Sequence, residues 1–173
     1  MIRQLSHLLL VQEGEGRKVT YFFAFFMLVS AGMAIGRGTA DAMFLKRLGI
    51  EYLPLMYMVQ SIVLSVVCLA YTAFADRIIA EKFFRTIFLV LFLLVSGAWL
   101  SMTITSSRLT YPAYYLIYEV ASEVLLVHAA LYMNQNMTTQ QAKRLTPLFF
   151  GGAQAGTICG GLFVAVGAPG TGR

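Results

Sequence analysis

The sequence predicts an all-α protein of the membrane, a polytopic transmembrane helix bundle of about five spans. Three observations predict it. Of 173 residues, 58% are hydrophobic and 12% charged, half the charged share of an ordinary soluble domain at about 25%. The apolar residues fall into five runs of the length that crosses a bilayer, about 20 residues each. The basic residues gather between those runs rather than along one stripe, which speaks for orientation in a membrane and against a nucleic-acid surface despite the net charge of +5.

Residues 1–18 form a cytoplasmic amphipathic N-terminal segment. Ile2, Leu5, Leu8 and Leu9 recur at helical spacing, and a Gly-Glu-Gly break follows, a pattern suited to lying along the inner membrane surface. This segment is too weakly apolar for the core of a cleaved signal. The transmembrane domain covers 19–168. Its first span, about 19–45, runs uncharged from Val19 to Gly36 and then meets Arg37 and Asp41. KRLGIEYLP makes a tight outer turn before the second span, about 53–75, where Tyr57, Gln60, Ser61 and Ser65 form a mild polar stripe suited to packing inside the bundle. The loop ADRIIAEKFFR concentrates charge. The third span, about 84–105, is nearly pure Phe, Leu and Val and is expected to face lipid.

Pro112 stands in the first turn of the fourth span, about 112–133, where a missing N–H is harmless. Tyr111, Tyr115 and Tyr118 lead along that span to Glu119, Ser122, Glu123 and His128. NQNMTTQQAKR is read as a polar loop, and the fifth span runs about 146–168. Its Gly151, Gly152, Gly156, Gly160 and Gly161 provide a small-residue seam for close helix contact. Residues 169–173 are a stub with nothing to anchor them, so the chain is expected to belong to a longer one.

Arg3, Arg17, Lys18, Arg77, Lys82, Arg85, Lys143 and Arg144 fall on one side of these spans, and Lys46, Arg47 and Arg108 on the other. The positive-inside rule places the first set, and the N-terminus, in the cytoplasm. A bacterial inner membrane is the expected location.

The charges within the spans carry the candidate chemistry. A charged side chain near mid-bilayer costs about 2.5–3.5 kcal/mol on insertion scales, so such residues usually face a bundle interior or a water-filled path. Arg37 and Asp41 lie four apart on one helix face, with Gly32, Gly36 and Gly38 removing bulk around them. Arg37 offers a permanent cation with planar donors suited to phosphate or carboxylate. Glu119 and Glu123, one helical turn apart, suit binding a cation, exchanging protons, or holding Arg37 in place. Two carboxylates so close in low dielectric do not both ionise easily. A purely structural tie between Arg37 and a glutamate remains the competing reading. His128 is alone and reads as a hydrogen-bonded packing histidine. Cys68 and Cys159 read as small packing residues, and no metal, cofactor or catalytic constellation is expected.

DAMFLKRLGIEYLPLMYMVQS from Asp41 to Ser61, ADR in the second loop, and TPLFFGGAQAGTICGGL in the fifth span together resemble the N-terminal part of the ATP/ADP translocase-type nucleotide transporters, relatives of the major facilitator superfamily. The resemblance covers most of the chain from Arg17 to Gly161. It implies a 12-helix transporter working by alternating access, of which this chain supplies five of the six helices in the first half and needs the remaining helices to act. An anionic substrate such as a nucleotide, exchanged as ATP for ADP, is the implied cargo, with Arg37, Asp41, Glu119 and Glu123 as substrate-binding candidates. The family tends to carry a basic residue just before the aspartate matching Asp41. Here Ala40 stands there, with Arg37 one turn earlier. Asp76 and Arg77 resemble a degenerate gating motif that lacks its glycines at Thr72 and Ile79.

The alternative reading is a non-transporting sensor or anchor module of a larger protein with a soluble regulatory domain. Either way the expected partners are membrane lipids and the rest of the parent protein, not nucleic acid, and no enzyme activity is expected.

Overall fold

The computed structural model of the chain describes residues 12, 14–75, 80–105, 107 and 109–167. The described residues are all-helical, with five helices long and apolar enough to cross a membrane. Helix α1 is Gly16–Leu48. It stops at Gly49, whose φ of 96° is open to a residue without a Cβ, and the Gly49 N–H still donates to the Leu45 carbonyl at 3.1 Å. One 3-10 turn, Ile50–Tyr52, leads into α2, Leu53–Ala75, with Pro54 in its first turn. Helix α3 is Ala80–Ile104 and α4 is Thr110–Gln135. The hydroxyl of Thr110 donates to the Ser107 carbonyl at 2.6 Å, and Pro112 occupies the first turn as its chemistry requires.

Helix α5, Thr139–Gly167, departs from the expectation of a polar loop up to residue 144. Only 136–138 lie outside helix, because Thr138 and Gln141 cap each other. The Gln141 N–H donates to Thr138 Oγ1 at 3.3 Å, and the Thr138 N–H donates to Gln141 Oε1 at 3.1 Å. This is the reciprocal capping box of a Thr-x-x-Gln sequence. The early start puts Pro147 inside the helix rather than at its first turn. Proline brings no N–H for the carbonyl four residues back, and spanning helices tolerate that where side chains re-satisfy the backbone. The carbonyl so freed is that of Lys143, and in the same turn Thr146 Oγ1 donates to the neighbouring Ala142 carbonyl at 2.5 Å.

Two compact units divide the chain, one of residues Met1–Gly38 with Met133–Arg173, the other Thr39–Tyr132. In the first, α1 up to Gly38 packs along α5. The Phe149 ring lies 5.7 Å from Phe22 and stacks at 6.3 Å on Phe26. Beyond it the backbones close up at every fourth residue of α5. A Cβ on Gly152 would sit 2.9 Å from the Phe23 ring, one on Gly156 would collide with the Met27 carbonyl, and one on Gly160 would lie 2.5 Å from the Ala31 carbonyl. Gly151 and Gly161 face open space, so three of the five glycines make the seam.

In the second unit, Ala40, Phe44, Met56, Ala98, Met102, Tyr114, Tyr115 and Tyr118 form the buried core, drawn from the end of α1 and from α2, α3 and α4. Half of the most apolar stretch of α4 is buried, against 11% for α3 and 6% for α2. So α3 turns its apolar surface outward as expected, and α2 does the same. The stripe on α2 is thereby split. Gln60 is half-buried, whereas Ser61 and Ser65 are exposed and donate at 2.8 Å to the carbonyls of Tyr57 and Ser61 one turn back. A hydroxyl facing an apolar medium can satisfy itself on its own helix, so these serines need no neighbour.

Candidate functional site

The second unit contains the polar group that stands out against its apolar core. Glu119 on α4 is 4% exposed. Its carboxylate oxygen Oε2 accepts a hydrogen bond of 3.4 Å from Nε2 of Gln60 on α2, a long but direct contact between two helices. The other end of the same amide, Oε1, is enclosed and takes no hydrogen bond among the described residues. Tyr115, one turn before Glu119, is 2% exposed and lies within electrostatic reach of Glu119, Tyr57 and Asp41. The end of α1 reaches this group through Phe44, whose ring centroid is 4.8 Å from that of Tyr115.

The four candidates of the spans are therefore placed differently. Asp41 is half-buried and shares the surroundings of Tyr115 with Glu119. Glu123, one turn beyond Glu119, is also half-buried. Arg37 is exposed on α1 and belongs to the first unit. Asp76 and Arg77, the gating candidates, lie outside the described residues, as do residues 1–11 of the amphipathic segment. Burying a carboxylate costs free energy unless polar groups surround it, and Gln60, with Tyr115 within electrostatic reach, provides such groups. The arrangement can hold a carboxylate or a carboxylic acid in an otherwise apolar core.

Of two further polar arrangements, the first escaped sequence reasoning and the second, at His128, is the packing histidine expected from the sequence. At the start of α1, Glu15 is 8% exposed. It accepts the Gln12 N–H at 3.0 Å, Gln141 Nε2 at 2.9 Å, and Arg144 Nη2 at 2.7 Å on one oxygen and 2.5 Å on the other. The Gln12 N–H foremost, then Gln141 and Arg144, hold the Glu15 carboxyl below the ordinary carboxylate range against burial, which pushes it up. The Thr138–Gln141 cap was the available signal, since it fixes Gln141 and Arg144 on the first turns of α5.

His128 is 2% exposed and joins three helices. Its Nδ1 is 2.7 Å from the Tyr71 hydroxyl on α2, and its Nε2 is 3.2 Å from the Phe84 carbonyl on α3. A carbonyl only accepts, so Nε2 carries the hydrogen and, in the neutral ring, Nδ1 accepts from Tyr71. The ring stacks on Phe84 at 4.7 Å. This is a packing histidine with both nitrogens satisfied, and its isolation in the sequence was the signal. Among the described residues no group of three His, Cys, Asp or Glu side chains is placed to hold a metal ion.

Comparison with protein-family models, with curated proteins and with solved structures finds no match to this chain.

Proposed function

We propose that this membrane protein is part of a secondary transporter working by alternating access, with an anionic small molecule, a nucleotide exchanged as ATP for ADP, as its cargo. The observation that carries the reading is Glu119, a carboxylate 4% exposed in the middle of a lipid-length helix and bonded to Gln60 of another. Ionisable groups at such depth are expensive and are retained where a substrate, ion or proton path uses them. Arg37 supports the anionic cargo from its side, being an exposed guanidinium well inside a spanning helix. The resemblance of the Asp41–Ser61 and Thr146–Leu162 stretches to nucleotide transporters supplies the substrate class.

Arg37 provides the test. Exchange of labelled ATP for ADP is measured in proteoliposomes carrying the full reading frame, together with nucleotide binding and thermal unfolding of the purified protein. Arg37→Lys keeps the charge but loses the planar fork. It is expected to weaken nucleotide binding about ten- to a hundredfold, corresponding to the roughly 1.5–3 kcal/mol of a hydrogen bond to a charged group, while leaving the unfolding temperature unchanged. Arg37→Ala is expected to abolish binding. Wild-type binding in a folded Arg37→Ala protein would eliminate Arg37 as the substrate residue.

One observation favours the second reading, a sensor or anchor module. Ala40 is 1% exposed, a small apolar residue of the buried core at the position where nucleotide transporters tend to carry a basic one. A folded wild-type protein with neither nucleotide binding nor exchange would support the module and sink the transporter.

A further inference from the structure

Where α1 and α5 both begin, the first unit carries a group of exposed cations. Glu15 accepts from Gln141 Nε2 at 2.9 Å and from Arg144 Nη2 at 2.7 Å, so the start of α1 and the first turns of α5 lie side by side. Glu15 and Arg144 cancel each other's charge. Arg17 and Lys18 follow Glu15 within one turn, Lys143 stands next to Arg144, and all three are exposed. The sequence of 12–18 and 139–144 holds one further carboxylate, Glu13, so three cations stand against one anion.

An aromatic ring accompanies them. Tyr21, one turn after Arg17 and Lys18, is 54% exposed and stacks on Phe25 at 6.4 Å. A tyrosine on the outside of a spanning helix suits the headgroup level, with its ring against apolar chains and its hydroxyl in water. Arginine and lysine one turn nearer the helix end have stems long enough to keep their charged heads in that layer.

We propose that the starts of α1 and α5 together form a docking surface for anionic phospholipid headgroups, with Arg17, Lys18 and Lys143 as the contacting cations. A phosphatidylglycerol-type headgroup carries a net negative charge on its phosphodiester. A phosphatidylcholine headgroup brings its own ammonium and is neutral, so the surplus of cations favours the first. Arg17 offers planar donors that two phosphate oxygens can accept, and the lysines add point charges. The Glu15–Arg144 clasp contributes position rather than charge, bringing Lys143 to residues more than a hundred positions earlier. The far end of α1 provides the contrast. Lys46 and Arg47 are exposed there too, but they come from one helix, and the Arg47 guanidinium already lies over the Tyr111 ring at 5.2 Å. Headgroup docking needs no cargo and does not rest on the transport reading.

The test uses the full reading frame in a cysteine-free background, with a fluorophore on a cysteine at the exposed position Gln140. The protein is placed in phosphatidylcholine nanodiscs containing brominated phosphatidylglycerol or brominated phosphatidylcholine. Bromine quenches a nearby fluorophore, so the ratio of the two quenching efficiencies reads the local enrichment of the anionic lipid. The wild type is expected to enrich it about tenfold or more, since each basic residue near a membrane surface favours anionic lipid by roughly fivefold. Lys143→Gln alone is expected to lower the enrichment about fivefold, and the triple variant Arg17→Gln/Lys18→Gln/Lys143→Gln to abolish it, with the unfolding temperature unchanged. Lys46→Gln/Arg47→Gln is expected to keep it. No enrichment in the wild type, or enrichment that survives the triple variant, would overturn the proposal. So would an unchanged value in Lys143→Gln, which would leave only a basic string on α1, or an equal loss in Lys46→Gln/Arg47→Gln, which would assign the effect to overall charge. Enrichment erased by millimolar inorganic phosphate at constant ionic strength would assign the cations to a soluble anion instead and likewise overturn it.

Discussion

Glu15 owes its position to hydrogen-bond donors rather than to hydrophobic contact, and its energetics follow from them. Removing one partner of a partly enclosed ion pair leaves the other charge compensated by solvent only in part. Arg144→Ala and Glu15→Ala are each expected to lower stability by about 0.5–1.5 kcal/mol, hydrogen bonds to charged groups weakened by the solvent that still reaches Arg144, and the double variant by less than the sum. Thermal unfolding of the three proteins in detergent checks this. The pH dependence has a definite sign. A carboxyl whose folded pKa is depressed contributes stability that is complete above the unfolded carboxylate value and is lost as pH falls through the folded value. Stability is therefore expected to hold from neutrality down to the ordinary carboxylate range and to drop below it. Glu15→Gln is expected to lack that acid limb, and an unchanged limb in Glu15→Gln would assign it to other carboxyls. Both charges were plain in the sequence, but their meeting was not. Pairing across 129 residues has no local pattern, whereas His128 was legible because a lone imidazole among apolar residues must find partners nearby in space.

At the scale of the element, α5 shows what periodicity conveys and what it hides. The glycines announced close contact, and the structure selects those four residues apart, because a helix presents every fourth residue to nearly the same neighbour. Gly156→Ala is expected to push α1 and α5 apart and to destabilise by about 1–3 kcal/mol as an overpacked core does, while Gly151→Ala and Gly161→Ala are expected to be neutral within about 0.5 kcal/mol. Unfolding temperatures of the three variants decide it, and equal effects at all three positions would dissolve the seam. The start of α5 was misread because polar residues in a row look like a loop to any hydropathy argument. The cap that makes them helical depends on one Thr and one Gln three apart, which composition averages away. On α2 the error ran the other way. Serines at helical spacing suggested an inward stripe, yet a hydroxyl bonded to its own backbone faces either way at little cost.

For the molecule as a whole, hydropathy carried the fold. Five lipid-length apolar runs leave a chain few choices besides helix, since every backbone group inside the hydrocarbon must be satisfied internally. The candidate site was only half legible. Charged residues within spans identify themselves by their cost, so Asp41 and Glu119 stood out in the sequence, but Gln60 is neutral and nothing in the sequence pairs it with Glu119 across 59 residues. Topology is the remaining expectation at this scale, from eight basic residues on one side against three on the other. In a cysteine-free background, cysteine at Glu51 is expected to react with an impermeant reagent from outside. Cysteines at Lys82 and Gln140 are expected to react only from the cytoplasm. All three positions are exposed, so access rather than burial sets the result, and the reverse pattern would invert the orientation.

The clasp between Glu15 and Arg144 also bears on how the protein is made. The ribosome delivers Glu15 among the first residues of the described chain and Arg144 only after four spanning helices have emerged. Until then the glutamate is without that partner, and α1 lacks the helix whose glycines let the two backbones close up. The face of α1 that meets α5 is therefore expected to rest against lipid or insertion machinery until α5 arrives. Nascent chains arrested before Arg144 are expected to leave α1 open to cross-linking by insertase or lipid-borne reagents, and chains arrested after α5 has cleared the ribosome are expected to shield it.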